Sequence, residues 1–158
     1  MSELLDALYR GDQAGVAELL AARPELDVFE AAALGDEQLL ALLDEDPARA
    51  NAFGHDGFQP LGLACFFGRV EAARFLLDRG ADPNSLARNE HIQAGPLHSA
   101  AASENKDAAS RYELCELLLA RGADPNLAQD GGFTALDAAR QDGDERLEKL
   151  LRDSGAVG

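Results

Sequence analysis

Catalysis or metal binding in this chain would have to be built from three histidines (His55, His91, His98), two cysteines (Cys65, Cys115) and 29 carboxylates. Nucleophilic catalysis needs a nucleophile within reach of a base, and metal chemistry needs several donors converging on one point. The chain has no HExxH, CxxC, GxxxxGK or GxSxG pattern to supply either. His55, Asp56 and His91 would suit a metal if the loops that carry them met. Two histidines and a carboxylate are common in loops, so the set predicts neither metal nor cofactor, and an enzyme stays a remote alternative. Phe66 and Phe67 offer a different chemistry. Neighbours on a helix differ by about 100 degrees around its axis, so two adjacent phenylalanines do not enter one core together. At least one is expected to be partly exposed, and an exposed aromatic on a preformed surface is a candidate binding hot spot.

The elements that position these residues are read from Gly54 to Asn84, GHDGFQPLGLACFFGRVEAARFLLDRGADPN. Asp56-Gly57 signals a tight turn, and Pro60 suits the first position of a helix. Gly68 breaks the helix, and a second one runs to Asp78 or Arg79 before Gly80 stops it. The unit recurs as GPLHSAAA (Gly95 to Ala102) with YELCELLLARGADPN (Tyr112 to Asn126), and again from Gly131 to Ala156. Degenerate copies occupy Leu4 to Leu20 and Val28 to Leu43. Asn51 and Asn84 are 33 residues apart, whereas Asn84 and Asn126 are 42 apart, an excess of nine. Comparing equivalent positions puts three of these residues in the turn before Pro96 and six between the helices that follow.

Repetition near 33 residues with PLH-like and GAD-like signatures resembles the ankyrin repeat. The resemblance implies an all-α fold, an ankyrin-repeat solenoid of stacked helix-turn-helix units with projecting β-hairpin-like loops. It predicts one domain over residues 1–158, with repeats at roughly 2–27, 28–51, 52–84, 85–126 and 127–158, the first two and the last degenerate. The family's threonine-proline-leucine-histidine start is incomplete here, since the best copy reads Gln59-Pro60-Leu61-Gly62. His98 retains the histidine, which the resemblance makes structural. Thr134 with Asp137 has capping-box spacing. Glu148 and Arg152 stand where the best copy has Ala73 and Leu77, which predicts an array ending at five units.

In such arrays the two residues before each inter-helix glycine face a concave surface. They correspond to Tyr9 and Arg10, Ala33 and Leu34, Phe66 and Phe67, Ala102 and Ser103, and Gln141 and Asp142. The predicted partner site is an apolar centre of Phe66 and Phe67 with Leu34 beside it. It is bounded by Phe53, His55 and Asp56 on one finger loop and by Arg88, Asn89, Glu90 and His91 on the next, which gives an apolar centre a largely polar rim. Phe58 and Phe133 are expected to pack the finger bases. The connection from Leu20 to Val28 is too short for a full finger, so the groove is expected to start later than this junction, and the inserted helix connection at 103–111 to lie away from the fingers.

The net charge is −15, of which residues 1–50 carry −9 (12 acidic, 3 basic). A nucleic-acid binder needs a basic surface to displace counterions, and none is evident. No apolar run reaches the ~20 residues needed to span a bilayer, and the first residues are acidic where a signal peptide would be basic. A cytoplasmic monomer with buried thiols is expected. The function read from the sequence is a non-enzymatic scaffold binding another protein through its concave face. The alternative is an acidic inhibitor or immunity-type protein neutralising a basic toxin or enzyme.

Overall fold

The computed structural model describes residues 2–158. Among them the chain forms ten α-helices in helix-turn-helix pairs and no strand. The pairs are α1 (Glu3–Arg10) with α2 (Gln13–Ala22), α3 (Val28–Leu34) with α4 (Gln38–Glu45) and α5 (Pro60–Phe66) with α6 (Val70–Asp78). They continue with α7 (Pro96–Ala101) and α8 (Ala108–Ala120), then α9 (Ala135–Gln141) and α10 (Glu145–Asp153).

Local chemistry sets the helix starts. Side chains of Ser2, Asp12, Asp107 and Asp144 accept from backbone N–H groups three residues on, satisfying donors that the first turn leaves free. Asp27 with Glu30, and Thr134 with Asp137, form full capping boxes. Pro60 and Pro96 open α5 and α7, where a missing N–H costs nothing.

The odd-numbered helices form an inner row, each packed on the next, and α4, α6, α8 and α10 form an outer row. Ala31, Ala32, Ala64, Ala100, Ala101 and Ala139 on the inner row are fully buried, and such small side chains let neighbouring backbones approach. Leu39, Leu43, Leu76, Leu114, Leu118 and Leu147 from the outer row fill the space against them. No pair could bury these faces alone, so stability comes from stacking.

Three asparagines tie the stack together. Asn51 Nδ2 donates to the Gly80 carbonyl (2.8 Å), and Asn51 Oδ1 accepts from the Asp82 N–H (2.8 Å). Asn84 does the same to Gly122 and Asp124, and Asn126 to Gly155 and Val157. The first bond of each pair spans 29, 38 and 29 residues, so the central one spans nine more.

The finger loops carry hairpin-type backbone bonds without extending into strands. Gly54 N–H donates to the Phe58 carbonyl (2.9 Å) and Gln129 N–H to that of Phe133 (3.0 Å). In the lengthened finger the equivalent bond joins Ala87 to Ala94 (3.0 Å), enclosing three more residues than in its neighbours.

Candidate functional site

A groove of about 960 Å3 runs along the inner row beneath the fingers. Tyr9, Leu63, Phe66, Pro96 and Ala102 contribute its floor, and Phe58, Asn89, His91, Ile92 and Phe133 come down from the fingers. Ser103 and Glu104 close it at the far end of α7, and Asp6, Arg10, Gln141 and Asp142 mark the first and last repeats.

The floor is organised by three rings. Phe66 and Phe67 meet edge to face with centroids 5.1 Å apart, and Tyr9 tilts against both at 5.4 and 5.0 Å. Phe67 takes the inward direction: it is 5% exposed and packs with Leu5, Ala33 and Leu63. Phe66, half-buried, faces the groove. The predicted aromatic centre is therefore corrected from Phe66 with Phe67 to Phe66 with Tyr9. Burial, with Asp56 nearby, pushes the Tyr9 phenol up to about 12, so it stays a neutral hydrogen-bonding group.

The lengthened finger is locked to the one before it. Arg88 N–H donates to the Gly57 carbonyl (2.8 Å), and Asn89 Nδ2 donates to the Asp56 carbonyl (2.8 Å). The Arg88 guanidinium lies 3.8 Å over the Phe53 ring. Gly57, at φ +84°, is required at this contact, because a Cβ there would stand 2.4 Å from the Arg88 carbonyl carbon. Asn89 Oδ1 then accepts from the N–H groups of His91 (2.9 Å) and Ile92 (3.1 Å), turning the chain so that both residues reach the groove.

Of the predicted site residues the groove takes Phe66, Asn89 and His91. Phe53 and Arg88 are engaged with each other, and His55 and Glu90 are exposed outside it. Leu34 packs against the main core. Asp56 accepts from Phe58 N–H (3.2 Å), and its charge helps to raise the Tyr9 phenol. Among the described residues His55, Asp56 and His91 form no metal-binding group.

Two expectations about shape are also corrected. The groove starts at the first pair, since Asp6, Tyr9 and Arg10 line it. The inserted connection after α7 reaches it too, through Ser103 and Glu104. That connection folds back because Lys106 Nζ donates to the carbonyls of Ala102 (2.6 Å) and Glu104 (3.0 Å) and lies 5.6 Å over the Phe66 ring. Burial draws the Lys106 ammonium down to about 8. Arg111, almost fully buried at the start of α8, donates to the Ala101 carbonyl (2.5 Å) and holds Asp142 (2.8 Å) and Asp144 (3.1 Å). It thereby fixes the last repeat against this wall. At the other side of α7, His98 Nδ1 accepts from Gly95 N–H (2.9 Å), which gives the histidine a capping role.

The family model described as "Ankyrin repeat" matches residues 56–89 and 95–130, the two units whose fingers and inner helices form the middle of the groove. The chain belongs to the ankyrin repeat family. It is 31% identical over 128 residues to rat "Ankyrin repeat and SAM domain-containing protein 6", covering 79% of this chain and 14% of that protein. It is 39% identical over 80 residues to human "DNA-binding protein RFXANK", covering 50% of this chain and 30% of the relative. To human "Ankyrin repeat family A protein 2" it is 34% identical over 87 residues, 55% of this chain and 27% of the relative. The chain thus spans between 14% and 30% of the length of these relatives. Ankyrin repeats are in general non-enzymatic protein-binding modules. No helix among the described residues is long and apolar enough to cross a membrane.

Proposed function

We propose that this ankyrin-repeat chain is a non-enzymatic scaffold that binds one partner protein in the groove floored by Tyr9 and Phe66. The observation that carries the reading is where the insertions lie. Both lengthened segments, the finger at 85–95 and the connection after α7, turn residues into the groove, and each is held there by its own side chain, Asn89 and Lys106 respectively. Insertions kept only as tolerated surface loops have no reason to be fastened at both ends of one cleft. An aromatic floor with a polar surround is the composition that protein recognition by a preformed surface uses. Ile92, 51% exposed at the finger, adds an apolar contact that no packing within the chain accounts for.

The test is affinity capture from native lysate with wild-type protein, Phe66→Ala and Glu113→Gln, each checked for helix content. Phe66 packs on Tyr9 and Phe67, so helix content must match wild type before its loss of binding is read, while Glu113 is exposed on α8 outside the groove. A partner retained by wild type and Glu113→Gln and lost with Phe66→Ala supports the groove. Equal retention by all three removes it.

A further inference from the structure

We propose that the occupant of the groove is a basic segment of the partner, with an arginine or lysine laid along the Tyr9 and Phe66 rings between Asp6 and Glu104. The inference rests on the groove reading above and adds the chemistry of what enters it.

Charge is the first ground. The side chains lining the groove include three carboxylates, Asp6, Glu104 and Asp142, and the arginine or lysine among them is Arg10. Asp142 is already committed to Arg111. Asp6 and Glu104 are exposed and in no ion pair among the described residues, although one stands at each side of the aromatic floor. Asp56 adds its field at the Tyr9 end. Lys106, the cation over Phe66, is tied to two backbone carbonyls; it feels the Glu104 charge but makes no hydrogen bond or ion pair to that carboxylate. An acidic occupant would meet these groups within a chain of net charge −15, whereas a basic one is steered in and then paired.

The rings are the second ground. A guanidinium or ammonium over an aromatic face gains most where neighbouring carboxylates complete its coordination. The chain uses this geometry internally, with Arg88 at 3.8 Å over Phe53 and Arg146 at 3.9 Å over Tyr112. Tyr9 and Phe66 line the groove, and the finger residue Ile92 is placed to cover an aliphatic neighbour of the incoming cation.

The probe is a fluorescein-labelled nonapeptide alternating arginine and leucine, titrated by anisotropy at physiological ionic strength. Its counterpart carries glutamate in place of arginine. Two double variants with the same change in net charge are compared, Asp6→Asn/Glu104→Gln in the groove and Glu113→Gln/Glu116→Gln on the exposed side of α8. Thermal melts confirm that both are folded. The arginine peptide is expected to bind, the groove pair to weaken it by about tenfold or more, and the α8 pair to change it by less than about twofold. Equal weakening by both pairs overturns the proposal, because attraction is then to the general field. So does equal binding of the glutamate peptide, or no binding of the arginine peptide. If the arginine peptide fails while Phe66-dependent capture of a partner persists, the basic occupant falls and the groove stands. If both fail, the groove falls as well.

Discussion

Replacing Gly57 with alanine should cost far more than its position on a surface loop suggests. The residue sits at φ +84°, where an L side chain pays about 1–2 kcal/mol for the left-handed conformation. Its new Cβ would also lie 2.4 Å and 2.5 Å from the carbonyl carbon and oxygen of Arg88 and 2.7 Å from Asn89 N, all of them backbone atoms that cannot swing aside. The fingers must separate. That gives up the Arg88-to-Gly57 and Asn89-to-Asp56 hydrogen bonds, about 1 kcal/mol each, and loosens Arg88 from Phe53, about 0.5–1 kcal/mol more. The expected loss is about 3.5–5 kcal/mol, or a fall in Tm of roughly 7 to 20 °C for a chain of this size. Gly143→Ala is the control, because Gly143 has φ +65° with nothing within 4 Å of its would-be Cβ, so only the conformational cost of about 1–2 kcal/mol applies. Urea unfolding followed by circular dichroism measures both, and amide exchange at Arg88 reports the finger itself. Losses equal within about 0.5 kcal/mol for the two variants would refute the interlock.

Further outcomes follow from other contacts. Asn84→Ala removes the bonds to Gly122 and Asp124 and should lower stability by about 1–2 kcal/mol by urea titration, while Asn84→Asp, which keeps the acceptor for Asp124 N–H, should lose less. Burial holds the His98 ring below its ordinary value of 6.5, against a pull the other way from the Leu127 and Phe133 carbonyls. The unfolded chain therefore takes up a proton before the folded one does. This contribution to stability is full above about pH 6.5 and is lost as pH falls through that value toward the folded one. His98→Asn offers an acceptor for Gly95 N–H but takes up no proton, so its urea midpoint should fall less than the wild type's over that range; parallel curves would contradict this. Both cysteines are buried and free, and burial pushes the Cys115 thiol up to about 12 and Cys65 higher still. A thiol reagent should label neither in native protein and both in urea.

The repeat was legible because its signals are local. Pro60, Gly68 and Gly80 each do one backbone task, and the structure turns at them as the spacing predicts. The nine-residue excess was readable from asparagine spacing alone, since each asparagine marks an inter-repeat clasp. Seven of the ten residues that the resemblance placed on the concave surface line the groove; Ala33, Leu34 and Phe67 do not. What escaped sequence reading depends on distant partners. Which of Phe66 and Phe67 turns inward is decided by Leu5 and Tyr9, some sixty residues earlier. Arg88 looked like a rim residue, but the ring of Phe53 and the Gly57 carbonyl claim it. The connection after α7 looked remote from the fingers, and its approach depends on Lys106 reaching back to Ala102 and packing beside Gly68. Ile92 carries a signal in the sequence, a large aliphatic residue among the polar residues Arg88 to Gln93 at the finger's tip.

The central claim is that partners enter the groove, and a photo-cross-linking amino acid tests it most directly. Placed at Ile92, where about half of the native side chain is exposed over the groove, it disturbs little packing; the comparison position is Glu113 on the exposed side of α8. Irradiation in native lysate is expected to give a discrete adduct from position 92 that Phe66→Ala abolishes, and none from position 113. The same adduct from position 113, or one from position 92 that survives Phe66→Ala, would contradict the account.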